Sequence, residues 1–312
     1  MSLKITTLKN NQYFVKYFEN TSWLLFEKIL RIIVGIFVSI WVARYLGPEQ
    51  FGLLSYVQSL VGIFIAFSTL GLDSVVVKEL LHSELKRGKI LGTAFFLKLL
   101  GSVFIIMILL VFMYLEMNDG YTNVLIFIIA CSSIFQSFNV IDFYFQSKVI
   151  SKYTVYSNVI TLFVSSAIKI ALIYNESPLI YFAFVMLFDS IFHSLGLVYF
   201  YYKNKFSILK WEFDFSIAKQ LIKNSWPLMI SLAIVSIYFK ADQVMIKEMI
   251  SISAVGQYAA AARLSEMWLF IPTTLVMSLF PAIINTRKEN KKTYYKLLQR
   301  LYNSVIWMAI LI

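Results

Sequence analysis

Nine long runs of apolar residues, at 23–43, 51–72, 90–115, 124–141, 153–173, 179–202, 225–239, 255–280 and 301–312, divide the chain between short polar connections. None alternates with a period of two, and most are continuous rather than striped. A helix rises 1.5 Å per residue, so about 20 apolar residues cross the ~30 Å of a bilayer's hydrocarbon. The pattern predicts eight spans and the start of a ninth. The last run stops at Ile312 without a polar tail, the expectation for a piece of a longer chain. The first 22 residues are polar and aromatic, and no small-residue cleavage site follows the first run. The first span is therefore expected to be an uncleaved anchor.

Composition agrees. Hydrophobic residues make up 59% of the 312, charged residues 14% and aromatics 17%, with a mean hydropathy of +0.74. Soluble domains hold roughly 45–50% apolar and about 25% charged residues. An all-α, polytopic membrane helix bundle is the fold class these numbers allow. Of the 28 basic residues, 20 fall on one alternating set of connections, Lys4 to Lys16, Lys78 to Lys89, Lys148 and Lys152, Lys203 to Lys223, and Arg287 to Arg300. The opposite set holds only Arg44 and Lys247. Basic loops stay on the cytoplasmic side, so the N-terminus is expected there. The net charge of +11 points to topology and membrane lipids, not to nucleic acid.

Two segments repeat. Asn20-Thr21-Ser22-Trp23 opens the first span and Lys223-Asn224-Ser225-Trp226-Pro227 the seventh. Gly47-Pro48-Glu49-Gln50-Phe51-Gly52 follows the first, and Ser253-Ala254-Val255-Gly256-Gln257-Tyr258 follows the second at nearly the same offset. Six spans separate the copies, so they share an orientation, as in parallel lobes flanking a substrate path. Chance similarity of two apolar stretches is the alternative. The organisation expected is a cytoplasmic segment 1–22, a six-span lobe 23–202, a basic linker 203–224 and the start of a second lobe at 225–312, with its spans 7, 8 and part of 9.

The blocks Leu25-Phe26-Glu27-Lys28-Ile29-Leu30-Arg31, Ala43-Arg44-Tyr45-Leu46-Gly47-Pro48-Glu49-Gln50-Phe51-Gly52 and Gly71-Leu72-Asp73 resemble the Wzx-type O-antigen and oligosaccharide flippases. So do Ala241-Asp242-Gln243-Val244-Met245-Ile246, Val255-Gly256-Gln257-Tyr258, Arg263-Leu264-Ser265-Glu266-Met267-Trp268 and Ile271-Pro272. These form the polysaccharide transporter branch of the multidrug/oligosaccharidyl-lipid/polysaccharide superfamily. The resemblance implies two six-helix lobes around a central cavity, here with the second lobe truncated. It also implies export of an undecaprenyl-diphosphate-linked oligosaccharide across the bacterial inner membrane. Membrane lipids are the other partner. The basic loops at 203–223 and 287–300 serve topology first, and are candidates to meet a polysaccharide polymerase or glycosyltransferase.

Charges that cannot leave the hydrocarbon are the candidate functional groups. Twelve residues, about 18 Å of helix, separate Arg31 from Arg44, so Arg31 lies within the membrane. It either pairs with Glu27 one turn earlier or binds diphosphate, whose oxygens match a guanidinium. Lys28, Lys240 and Arg263 are further substrate-binding candidates. Asp189 is too short to reach either interface and must be protonated, paired or cation-bound. His193, one turn on, could share its proton, and Glu27 and Asp242 complete the acids that would couple ions or form structural pairs. Lys169 and Lys98 read as interfacial anchors. Pro272 is the candidate hinge. With His82, His193 and Cys131 as the only residues of their kinds, no metal cluster is expected. No phosphate-cradling glycine loop is present, so neither cofactor nor ATP drive is expected. The competing functions are multidrug extrusion within the same superfamily and, from another class, a membrane-embedded sugar polymerase or glycosyltransferase. The connections on the less basic side are too short to hold an enzyme's machinery, so a non-enzyme is favoured.

Overall fold

Backbone amides in hydrocarbon have no water to bond, so a spanning chain satisfies them within helices. The computed structural model describes residues 2–115, 119–267 and 291–311. Among them the regular elements are all helical: α1 Ser2–Ser68, α2 Leu72–His82, α3 Arg87–Leu115, α4 Gly120–Phe135, α5 Val140–Ser147, α6 Lys152–Tyr174, α7 Leu179–Lys203, α8 Phe215–Met249, α9 Ile252–Glu266 and α10 Lys291–Leu311, with three short 3₁₀ turns. Six stretches are long and apolar enough to cross a membrane, and the first of them, Glu19–His82, has 64 residues, enough for two crossings. This is a multi-pass membrane protein. The helix Phe215–Met249 extends well beyond the apolar run 225–239 at both ends. The fourth run, predicted continuous, is broken by a 3₁₀ turn at Gln136–Asn139.

α1 is two arms. At Gly47 the backbone turns out of the helix, with φ 68° and ψ 174°, a conformation that suits a residue without Cβ. Pro48 then opens the second arm, where its missing amide hydrogen does no harm. Polar contacts fix the apolar part of the first arm near both of its limits. Asn20 Oδ1 accepts from the Ser151 amide at 2.7 Å, and Tyr45 donates its hydroxyl to the Ser177 carbonyl at 2.9 Å. The basic connection and the short acidic one thus sit at opposite ends of the apolar run 23–43, in the alternation that the charges predict.

The chain divides into two compact units, Met1–Gln257 and Tyr258–Ile312. In the first, the two repeated glycines meet. A Cβ on Gly52 would lie 2.0 Å from the Ile252 carbonyl, and one on Gly256 would lie 2.0 Å from the Pro48 carbonyl. The contact is reciprocal: Pro48 is to Ile252 as Gly52 is to Gly256, at one common spacing along the sequence. Only glycines permit two helices to cross so closely. The second unit contains the end of α9 and α10, whose opening turns carry Lys296 and Arg300. Pro272, the candidate hinge, lies outside the described residues.

Leu72, Leu80, Leu91, Ile141, Phe145, Leu197, Tyr201 and Leu221 form the main apolar core, at the basic end of the bundle. Many large apolar side chains instead face outward, among them Phe37, Phe104, Val111, Leu195 and Ile234. In water such a surface would aggregate; in a bilayer it is the lipid contact.

The basic linker is a fitted strap. Lys210 and Glu212 lay their backbone on Gly88 and Gly92 of α3, where added Cβ atoms would stand 2.6 and 2.5 Å from their carbonyl oxygens. The Asp214 amide donates to Thr93 Oγ1 at 2.9 Å, and Trp211 Nε1 donates to the Tyr201 hydroxyl at 3.3 Å. Asp214 then caps α8, accepting from the Ser216 and Ile217 amides at 3.0 and 3.2 Å. The Ile217 and Ser216 amides and the nearby Lys89 ammonium hold its carboxyl below the usual range. The cap is therefore fully in force above the unfolded carboxyl value of about 3.9 and is lost as pH falls through the lowered one. Asp214→Ala is expected to speed amide exchange at Ser216 and Ile217 at neutral pH, whereas Asp214→Asn, still an acceptor, leaves it near wild type. Equal exchange in both variants would show that the side chain does not hold the helix start.

Candidate functional site

Polar residues recur along α6 at Asn158, Thr161, Ser165 and Lys169, spacings of three and four that place them on one helical face. On α7, Asp189 and His193, and beside them Ser190 and Ser194, are i,i+4 pairs. Together with Arg31 from α1, and Gln136 and Asn139 from the 3₁₀ turn, these residues line a cavity of about 360 Å³ inside the first unit. That volume lies in the range of small-ligand pockets. Tightened 3₁₀ geometry inside a helical run commonly marks a functional position, and here it presents two carboxamides to the cavity.

The walls are held by local bonds. Ser157 Oγ lies 2.9 Å from the His193 carbonyl and 3.2 Å from His193 Nδ1. Ser194 Oγ bridges the Ser190 and Phe135 carbonyls at 2.7 and 2.8 Å. Across the cavity Lys169 Nζ donates to Asp189 Oδ2 at 3.4 Å. Asn139 Oδ1 is buried without a hydrogen bond among the described residues, whereas Ser165 Oγ lies beside the Asp189 carboxylate. A buried acceptor left unmade costs about 1–3 kcal/mol. With that oxygen on its wall, the cavity is a place for a hydrogen-bonding guest, water or ligand.

Of the residues proposed from sequence, Arg31, Asp189 and His193 share this cavity. Arg31 also bonds within its own helix: its Nε donates to Glu27 Oε1 at 2.7 Å, and an Nη forms an ion pair with the same oxygen. The internal pair and the cavity position therefore hold at once. The Arg31 side chain is 55% exposed and Glu27 13%, so the guanidinium keeps free edges while the acid is covered. Asp189 has its structural partner in Lys169, which sequence reads as a headgroup anchor. Lys28 is half-buried and is not among the lining residues. Lys240 lies over Gly62, where its Cε and Nζ would be 2.8 and 3.1 Å from an added Cβ, and Asp242 Oδ1 accepts from the neighbouring Gln243 amide. Neither lines this cavity. Arg263 belongs to the second unit.

Lys98 is 4% exposed, donates to Asp73 Oδ1 at 3.2 Å and lies over the Phe143 ring. Its stem is buried in the bundle while its partner Asp73 is 53% exposed, so the ammonium is held at the edge of the core rather than left free at the surface. The hydroxyl and amide lining escaped the sequence reading, which searched for charges. The three- and four-residue spacing of polar positions in run 153–173 is the signal that identifies it.

Residues 17–286 match the family model described as polysaccharide biosynthesis protein. No curated protein matches the chain significantly. Among solved structures, the chain is similar to the inward-facing conformation of a multidrug resistance MATE family transporter of the MOP superfamily. Identity is 14% and the TM-score 0.60, with 90% of this chain and 70% of that one covered. At that identity the likeness is one of fold. A polar cavity inside a lipid-facing bundle, a transporter's helical fold and a family match over most of its length lead to one assignment: the chain belongs to the polysaccharide biosynthesis protein family.

Proposed function

We propose that this protein moves a lipid-linked oligosaccharide, carried on undecaprenyl diphosphate, across the bacterial inner membrane by alternating access. The observation that supports this reading most directly is the cavity's lining. Seven hydroxyl or amide side chains, Gln136, Asn139, Asn158, Thr161, Ser165, Ser190 and Ser194, suit the hydroxyls of a sugar, which both donate and accept. The polyprenyl tail would remain in lipid against the apolar exterior. Arg31 keeps donors beyond those engaged by Glu27 and would meet the diphosphate by charge-assisted, planar contacts. Asp189 and His193, four residues apart in the same wall, would carry the coupling proton. The close crossing at Gly52 and Gly256 shuts one end of the path, and its separation would open it.

Complementation of a flippase-deficient strain tests the assignment. Arg31→Ala is expected to cut complementation about tenfold or more and to leave lipid-linked sugar on the cytoplasmic face, since losing a charged hydrogen bond removes about 1.5–3 kcal/mol. Glu27→Gln, which releases the guanidinium, should be far milder. Normal sugar export by a well-inserted Arg31→Ala protein would sink the role given to that residue.

Multidrug extrusion is the second reading, favoured by the fold and by an acid, Asp189, inside the cavity. It predicts the opposite ranking: Asp189→Asn abolishes drug resistance and Arg31→Ala is tolerated.

A further inference from the structure

Arg87, the first residue of α3, stands apart from the cavity and has no part in the transport scheme. Its guanidinium lies 4.2 Å from the centre of the Phe206 ring and 5.4 Å from that of Tyr144. Both rings are fixed. Tyr144 is buried in the apolar core, in edge contact with Tyr201 and Phe206. Phe206 is placed by the turn that ends α7: its amide donates to the Tyr201 carbonyl at 3.2 Å and that of Lys205 to Tyr202 at 2.8 Å. Lys205 adopts φ 64° there, a left-handed conformation usually left to glycine.

Arg87 is half-buried, and no carboxylate of the described residues lies within ion-pair distance of it. Lys89, two residues on, is already paired with Asp214 at 3.6 Å. The two rings stand at 77° to each other and meet the cation with their faces' negative charge, which holds the guanidinium without using its N–H donors. A partly desolvated cation held by rings alone is stabilised further by an anion from outside the chain. Arg87 begins a membrane-crossing helix on the basic side of the bundle, among the exposed Lys86 and Lys205, at the level of lipid phosphates.

We infer that Arg87, backed by Phe206 and Tyr144, is a binding site for the phosphate of an anionic phospholipid headgroup. The site takes a phosphodiester through the planar guanidinium donors, and the two rings fix where the cation sits. The diphosphate of the cargo is the same chemistry from another source, but Arg87 is not among the residues lining the cavity.

The test uses the full chain in nanodiscs of phosphatidylcholine, with phosphatidylglycerol added stepwise and retained lipid counted by native mass spectrometry. Arg87→Gln is expected to weaken phosphatidylglycerol retention about thirtyfold, the loss of a charged, bidentate contact. Lys219→Gln, the same charge change on an exposed side chain of α8, should weaken it no more than about fivefold. Arg87→Lys keeps the charge but not the planar fork, and should behave like Arg87→Gln; it carries the test if the glutamine variant fails to insert. Inorganic pyrophosphate should not compete. Equal losses for the Arg87 and Lys219 variants, full retention in Arg87→Lys, or displacement of the lipid by pyrophosphate would each overturn the inference.

Discussion

Alanine at Gly52 or Gly256 is expected to reduce transport at least tenfold while the protein still inserts. Each new methyl would sit 2.0 Å from a carbonyl oxygen of the opposing helix, far inside contact distance, so the crossing must open. Overpacking a close contact costs about 1–3 kcal/mol. Placed on one side of a two-state equilibrium, that shifts the populations by roughly five- to 150-fold. The protein would be biased toward the arrangement in which these helices part, and the cycle would stall there. Because both substitutions spread the same crossing, the double variant should be little worse than either alone. Transport assays with membrane-inserted protein measured in parallel check this. Wild-type rates in Gly52→Ala would show that the crossing is a packing detail and not part of the cycle.

The second large effect is expected at Lys169. With Lys169 26% and Asp189 30% exposed, the pair is largely covered, though solvent still screens it. Breaking a fully buried pair costs about 3–5 kcal/mol because the remaining charge has no partner. With partial exposure, about 2 kcal/mol is expected for Lys169→Met, seen as a lowered Tm in detergent. Asp189→Asn leaves an ammonium that can reach toward water and should be milder. In the double variant no charge is stranded, and stability should return to near wild type. Transport separates structure from coupling: if Asp189 carries the coupling proton, the stable double variant remains inactive. An active double variant would reduce the pair to scaffolding.

Phe37, Trp41 and Phe104 show why so much of this architecture was legible from hydropathy alone. Lipid imposes one rule on every exposed position, so the helical, membrane-spanning class and the alternation of the connections follow from composition along a line. Gly47-Pro48 marked the break in α1, because a positive φ followed by a ring-locked residue has few other uses. Arg31 and Asp189 were recognisable by depth, since distance to the nearest interface is a count of residues. The likeness of the segments around Gly52 and Gly256 was also visible, though not that the two glycines touch.

The tertiary structure alone decided what those side chains face. Lys169 and Lys98 have long stems that hydropathy reads as snorkelling anchors. Packing instead turns Lys169 onto Asp189 and buries Lys98 over Phe143, its ammonium reaching the exposed Asp73. Gln136, Asn139, Asn158 and Ser165 are unremarkable in a sequence, and become a site only when a 3₁₀ turn and two helices bring them around one space. The reason is geometric. Depth in the membrane is a one-dimensional property written along the chain, whereas the direction a residue points around its helix gains meaning only from the neighbour it meets.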